Sequence, residues 1–293
     1  MTPGRILLVA NPAAGRGKAL RVAEEAARAL VGRGVEARAK VAASAADLAR
    51  LAADPELGPS DAVCGVGGDG TLHGIVAGLV ARGEEAPALA VVPCGTGNSL
   101  ARDHGQHRVA DAVERIATGE RRAIDLAEVE LDGERVHAFH VIGWGASAWI
   151  NRRAERLRRL GGARYVAAAL VEIARGGWPP PGDLAGGMAD AILGAACLTR
   201  HTGGGIPLSP TAELDDGFLH VLEVRRKGRL GLARVLVGAL RGRHLGVPGV
   251  ELRKLREIEL TLPEGATITL DGEDRPARRV RARVLPRALG LLG

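Results

Sequence analysis

Along the first third of the chain, short apolar runs alternate with helical stripes of apolar residues. Residues 5–10, 35–41, 61–66 and 88–93 read as strands. Residues 18–32, 45–53, 71–82, 98–104 and 109–118 read as helices between and after them. This alternation predicts a parallel sheet covered on both faces. Ligands of such sheets bind at the carboxyl ends of the strands, where three glycine-bearing loops fall.

Around Ile124 the pattern changes. Residues 125–131 and 136–142 read as strands joined by the turn Asp132-Gly133, and Gly143 to Gly145 breaks the second run. Residues 151–174 read as one Arg-rich helix, and the proline cluster at 178–182 as a loop. Beyond Ala191 come β-type runs at 191–199, 217–225, 258–262, 266–271 and 280–284, with a helix at 229–241 between them. Many short strands with turns predict an antiparallel sandwich.

Composition narrows the classes. The 293 residues suffice for two domains, and aromatics at 2% argue against nucleic-acid binding by base stacking. The net charge of +6 and pI near 9.9 fit an anionic partner surface without naming it. Three cysteines without a C-x-x-C predict neither disulfides nor a zinc cluster, and hence a reducing compartment. Residues 1–4 lead straight into a strand, so no signal peptide is expected, and no run approaches the length of a membrane span. The expected location is the cytoplasm.

The chemistry concentrates in Val63-Cys64-Gly65-Val66-Gly67-Gly68-Asp69-Gly70-Thr71-Leu72-His73. A glycine turn before a helix lets backbone approach phosphate and offers free N–H donors. A carboxylate beside phosphate makes sense if a divalent cation bridges them or if Asp69 handles a proton. Gly65-x-Gly67-x-x-Gly70 also fits a dinucleotide fingerprint, but it follows the third strand and lacks the later ribose-binding acid. Asn11-Pro12-Ala13-Ala14-Gly15-Arg16-Gly17-Lys18 is a second phosphate-capable turn that fails the Walker A spacing. Pro93-Cys94-Gly95-Thr96-Gly97-Asn98 is a third, forming a two-sided clamp with the Asp69 loop. Leu214-Asp215-Asp216-Gly217 reads as an ordinary turn or a hard-cation site. In Asp271-Gly272-Glu273, an extended chain would point both acids the same way, suited to deprotonating a hydroxyl. His137 and His140, on one strand, would point to opposite faces and share no metal.

Taken in order, these motifs resemble the diacylglycerol kinase catalytic-domain family, which includes bacterial soluble lipid kinases and sphingosine and ceramide kinases. The resemblance rests on Asn11-Pro12 with Gly15, Gly67 to Thr71, Pro93 with Gly95 to Asn98, Pro210 with Leu214 to Gly217, and Asp271 to Glu273. Gly67-Gly68-Asp69-Gly70 alone is shared with NAD kinases and phosphofructokinases. The resemblance implies an α/β nucleotide domain over residues 1–125, Rossmann-like, and an antiparallel β-sandwich over 126–284, with 285–293 packing back on the first. It implies ATP on Asn11, Gly67, Gly68, Asp69, Gly70, Thr71, Leu72 and His73, and on Gly95, Thr96 and Asn98. It implies Glu273 as general base on a lipid hydroxyl with Asp271 beside it, and catalytic Mg²⁺ organised by Asp69. A structural magnesium is implied at Asp216 with the carbonyls of Glu213 and Phe218.

Two departures stand out. Val41 occupies the place of a nucleotide-contacting Thr, and Trp149 that of an acid suited to an amino group. The second leaves diacylglycerol or ceramide as acceptor ahead of a free sphingoid base. The expected partner is a lipid presented from a membrane, with peripheral contact through Arg152 to Arg164 or insertion at Trp178, no nucleic acid, and a homodimer left open. NAD kinase is the alternative activity. A non-catalytic nucleotide sensor is the alternative from another class.

Overall fold

The computed structural model describes residues 4–95, 97–178, 182–188 and 190–293, without the Arg16 side chain. Two compact units result, residues 1–124 with 287–293, and residues 125–286.

The first unit alternates β1 (Ile6–Ala10), α1 (Ala19–Val31), β2 (Ala37–Val41), α2 (Ala45–Ala52), β3 (Ala62–Gly67), α3 (Asp69–Val80), β4 (Ala88–Pro93), α4 (Ser99–Asp103) and α5 (Val109–Thr118). Its strands run parallel in the order β2-β1-β3-β4. Strand residues of one parity, among them Ile6, Leu8, Cys64 and Val92, pack on alanines of α1 and on Val113 and Ile116 of α5. On the opposite parity, a Cβ at Gly65 would meet Leu72 Cδ2 of α3 at 2.5 Å, so the helix lies directly on the strand there. Alanine and glycine let the layers approach closely, which is how a core with so few aromatics fills its volume. The chain leaves β1 for opposite edges by way of β2 and β3, so the sheet switches direction between β1 and β3, where such sheets open a crevice.

The second unit begins within β5 (Arg121–Leu131) and continues through β6 (Glu134–Ala138), β7 (Val141–Gly145), α6 (Ala146–Arg156), α7 (Arg164–Arg175), β8 (Asp183–Leu184), β9 (Ala191–Cys197), β10 (Leu219–Arg225), α8 (Arg229–Leu240), β11 (Val250–Leu255), β12 (Glu257–Thr261), β13 (Thr267–Leu270), β14 (Glu273–Pro276) and β15 (Arg279–Leu292). One antiparallel sheet runs β11-β10-β9-β7-β13-β14, and β15-β12-β8 with β5 and β6 form the facing layer. Trp144, Ile142, Val221, Ile268, Ile258, Val280 and their neighbours fill the space between the layers. The last residues of β15 belong to the first unit, where Leu291 lies beside Leu89 of β4 and Leu292 joins the α1/α5 core.

The α/β plus sandwich architecture agrees with the pattern in the sequence; several boundaries do not. The run read as one strand over 136–142 breaks at Phe139-His140, so His137 and His140 are not on one strand. Gly143 to Gly145, read as a break, lies in β7. Glycine is tolerated because Trp144 uses the space: a Cβ at Gly194 on the neighbouring strand would come within 1.9 Å of its indole. The single helix expected over 151–174 is two helices parted by a 3-10 stretch, with Gly161 at φ +58°. Of the proline loop, Pro179 to Pro181 lie outside the described residues.

Candidate functional site: two acid-bearing loops

In the first unit, three loops at the carboxyl ends of β1, β3 and β4 lock together. Asn11, just past β1, donates through Nδ2 to Thr71 Oγ1 at 3.2 Å, spanning the switch point, and accepts from the Ala13 N–H through Oδ1. The N–H groups of Cys94 and Gly95 both reach the Gly67 carbonyl at 3.1 Å. Asn98, left-handed at φ +50°, closes the third loop by bonding both the N–H and the carbonyl of Gly95. The glycines make this interlock. A Cβ at Gly95 would sit 2.4 Å from Gly68 Cα, one at Gly67 2.2 Å from Thr71 Oγ1, and one at Gly97 2.3 Å from Asp69 Oδ2. By contrast, Gly70 opens on free space.

Asp69 sits in the first turn of α3, not in the preceding turn, because the helix begins there with Gly68 as its cap. Its Oδ1 accepts the Ser99 N–H at 2.9 Å, and its Oδ2 accepts the Ser99 hydroxyl at 3.0 Å, so one helix's first acid caps the next helix. By helix geometry the N–H groups of Asp69 and Gly70 have no partner within α3. Thr71 and Leu72 differ from the expectation for phosphate ligands. Their N–H groups donate to the Gly68 carbonyl, and the Leu72 side chain is core. His73 is half-buried. Thr96 lies outside the described residues. Val41 is exposed at the end of β2.

In the second unit, Asp271 and Glu273 do not share one face of an extended strand. Asp271 (φ +51°) and Gly272 (φ +98°) form a two-residue hairpin turn, with Leu270 paired to Glu273. Asp271 is buried, and its carboxylate accepts the N–H groups of Phe139, His140 and Val141 at 3.2, 2.9 and 3.1 Å. It therefore holds the corner where β6 gives way to β7, and backbone amides occupy it. Glu273 is the half-buried first residue of β14. On the far side of the turn, Asn151 of α6 donates to the Gly272 carbonyl at 2.8 Å and to Asp274 Oδ1 at 3.1 Å, and Thr269 Oγ1 donates to the same oxygen at 2.6 Å. The hairpin carrying Glu273 is thus fixed from both sides. Asn151 and Asp274 were not apparent in the sequence, where they are ordinary polar residues more than 100 positions apart.

A magnesium ion fits the two expected places differently. Asp69 keeps lone pairs beyond its two bonds, and one carboxylate plus substrate phosphates is a usual Mg²⁺ arrangement. At Asp216 the carboxylate already has three protein partners. Its Oδ2 lies 3.0 Å from Lys254 Nζ and 2.8 Å from Nε2 of fully buried His220, and its Oδ1 accepts the Phe218 N–H. The ammonium already supplies the positive charge that a cation would bring. Glu213 is exposed, 3.7 Å from Arg200. No cluster of three or more His, Cys, Asp or Glu able to hold a metal occurs among the described residues. Buried Asp125 instead steadies this loop, accepting the Gly217 N–H at 2.7 Å, while its own N–H donates to the Leu214 carbonyl. In the sequence it is one acid among several between 120 and 134, so nothing local singles it out.

Comparison with known proteins places this geometry. Residues 5–129 match the diacylglycerol kinase catalytic domain model, and residues 140–293 match the YegS C-terminal NAD kinase beta sandwich-like domain model. The "Diacylglycerol kinase" of Mycobacterium tuberculosis is 29% identical over 99% of this chain and 95% of its own length. A Pseudomonas aeruginosa protein named "Probable lipid kinase YegS-like" is 33% identical over 76% of this chain and 73% of its own. A crystal structure of a Bacillus anthracis diacylglycerol kinase shares the fold, with a TM-score of 0.73 at 21% identity over 99% of this chain and 97% of that one.

Proposed function

Since the chain belongs to the diacylglycerol kinase catalytic-domain family and is a lipid kinase, we propose that it transfers the γ-phosphate of ATP to the hydroxyl of a neutral lipid such as diacylglycerol or ceramide. The observation that carries this reading is the doubly anchored hairpin at Glu273. A general base contributes only when it is held in place, and Asp271 on one side with Asn151 on the other hold this one. Glu273 removes the proton from the acceptor hydroxyl as the oxygen attacks the γ-phosphorus and the bond to the β-phosphate oxygen breaks, releasing ADP. Backbone N–H groups of Asp69 and Gly70 at the start of α3 receive phosphate oxygens. Asp69 would hold Mg²⁺ against the phosphates, and bound Mg²⁺ would neutralise their charge. Asp271 is assigned as a positioning residue, because its oxygens are occupied by backbone amides.

The test is a radiolabelled-ATP assay with Mg²⁺ on mixed micelles carrying diacylglycerol, ceramide or sphingosine, with soluble NAD in parallel. Label in diacylglycerol or ceramide is expected. Label in NAD alone would transfer the assignment to an NAD kinase. ATP binding without label in any acceptor would make the protein a nucleotide sensor.

A further inference from the structure

Helix α8 is apolar on two sides. One side, with Leu232 and Val235, joins a core with Ile192, Leu222, Val224 and Val250. The other is in solvent: Leu230 is 85% exposed, Val237 49% and Leu240 44%. Leu230, Arg234, Val237 and Arg241 recur at helical spacing, so they lie along one stripe. Adjoining α7 adds exposed Leu170 and Val171. Apolar side chains aligned this way on a surface mark an interaction site.

Charge identifies the occupant. No acid occurs between Glu223 and Glu251, while Arg226, Lys227, Arg229, Arg234, Arg241 and Arg243 fall within that stretch. None of these six is ion-paired among the described residues, and all but half-buried Lys227 are exposed. The other Arg-rich segment is different: Arg152 pairs with Asp274, Arg153 with Glu172, and Arg158 and Arg164 with Glu155. Its charge is largely spent inside the unit.

We infer that the outer side of α8 docks on an anionic bilayer, with Leu230 and Val237 on the stripe and Leu240 at its flank entering the acyl boundary and the basic residues facing lipid phosphates. This deepens the lipid-kinase reading by saying where the enzyme meets the surface that holds its acceptor.

Co-sedimentation with vesicles tests it, using phosphatidylcholine alone and phosphatidylcholine with phosphatidylglycerol. The wild type is expected to bind the anionic vesicles and to release in high salt. Leu230→Glu/Val237→Glu and Arg234→Glu/Arg241→Glu should each weaken binding about tenfold or more, with thermal melts unchanged because the sites are exposed. Unchanged binding in both double variants overturns the proposal. So does loss of binding only with Arg158→Glu/Arg159→Glu, or a shift of Leu230→Glu/Val237→Glu from dimer to monomer in sedimentation velocity without loss of vesicle binding. Turnover on a short-chain diacylglycerol dissolved as monomers separates this from the functional reading. If no lipid is phosphorylated yet binding follows α8, the kinase assignment fails and the docking surface stands.

Discussion

Asp69 and Glu273 both stand at the start of a secondary-structure element, but different materials hold them. Around Asp69 the support is removal of side chains: Gly68 and Gly95 let two backbones touch, Gly67 and Gly97 leave room for the Thr71 and Asp69 side chains, and the acid caps Ser99 of the neighbouring helix. Around Glu273 the support is side chains themselves, with Asp271 gripping three amides and Asn151 the turn carbonyl. Close backbone packing tolerates almost no added atom, whereas a hydrogen-bonded hairpin tolerates changes of shape and fails when a charge is removed.

The largest expected effect breaks this symmetry at the chemistry. Glu273→Gln should lower turnover by about 10²- to 10⁴-fold with ATP affinity and melting temperature unchanged; near-normal turnover in a steady-state assay would remove the general base from the hairpin. Asp271→Asn should cost stability instead, about 2–3 kcal/mol by denaturant titration, because an amide cannot accept from all three N–H groups. The glycine side is probed by Gly95→Ala, whose methyl would press on Gly68; a loss of about 1–3 kcal/mol together with weaker ATP binding by calorimetry is expected.

The largest pH effect expected from a single histidine lies in the first unit. Burial, and after it the nearby charge of Arg115, lowers the pKa of His104 to about 4. The unfolded chain, titrating near 6.5, binds the proton more readily, so stability is intact above pH 6.5 and falls as pH drops toward 4, by on the order of 2 kcal/mol. Urea titrations of wild type and His104→Gln across this range should diverge at neutral pH and converge in acid. The smallest expected effect is at Asp216. With Lys254 supplying the counter-charge, chelating divalent ions should leave the melting temperature unchanged within a degree or so.

How far these two supports could be read in the sequence follows from their materials. Glycines clustered after apolar strands announce a close-packed loop, and the unbroken apolar run Ile6 to Ala10 announces a strand covered on both faces, so the first unit is largely legible. In the second, β14 is the polar run Glu273-Asp274-Arg275-Pro276, without the alternation that marks a strand, and in β11 the charged residues Glu251, Arg253 and Lys254 mask the strand pattern. The grip of Asp271 on Phe139, His140 and Val141 links positions about 130 apart, so nothing local to either segment betrays it. Nor does the sequence say that Leu72 faces β3 rather than a ligand; that depends on Gly65 lying under it.

The closing strand bears on how the protein is made. Leu291 and Leu292 are fully buried in the α/β unit, yet the ribosome delivers them only after all of residues 125–286. The α/β unit is therefore begun first and completed only after the sandwich. While the sandwich is being synthesised, the exposed edge of β4 and the gap beside α5 wait for a segment not yet translated. A released fragment ending at residue 124 would carry that open edge permanently, which makes it a substrate for aggregation or for a chaperone rather than a minimal ATP-binding module.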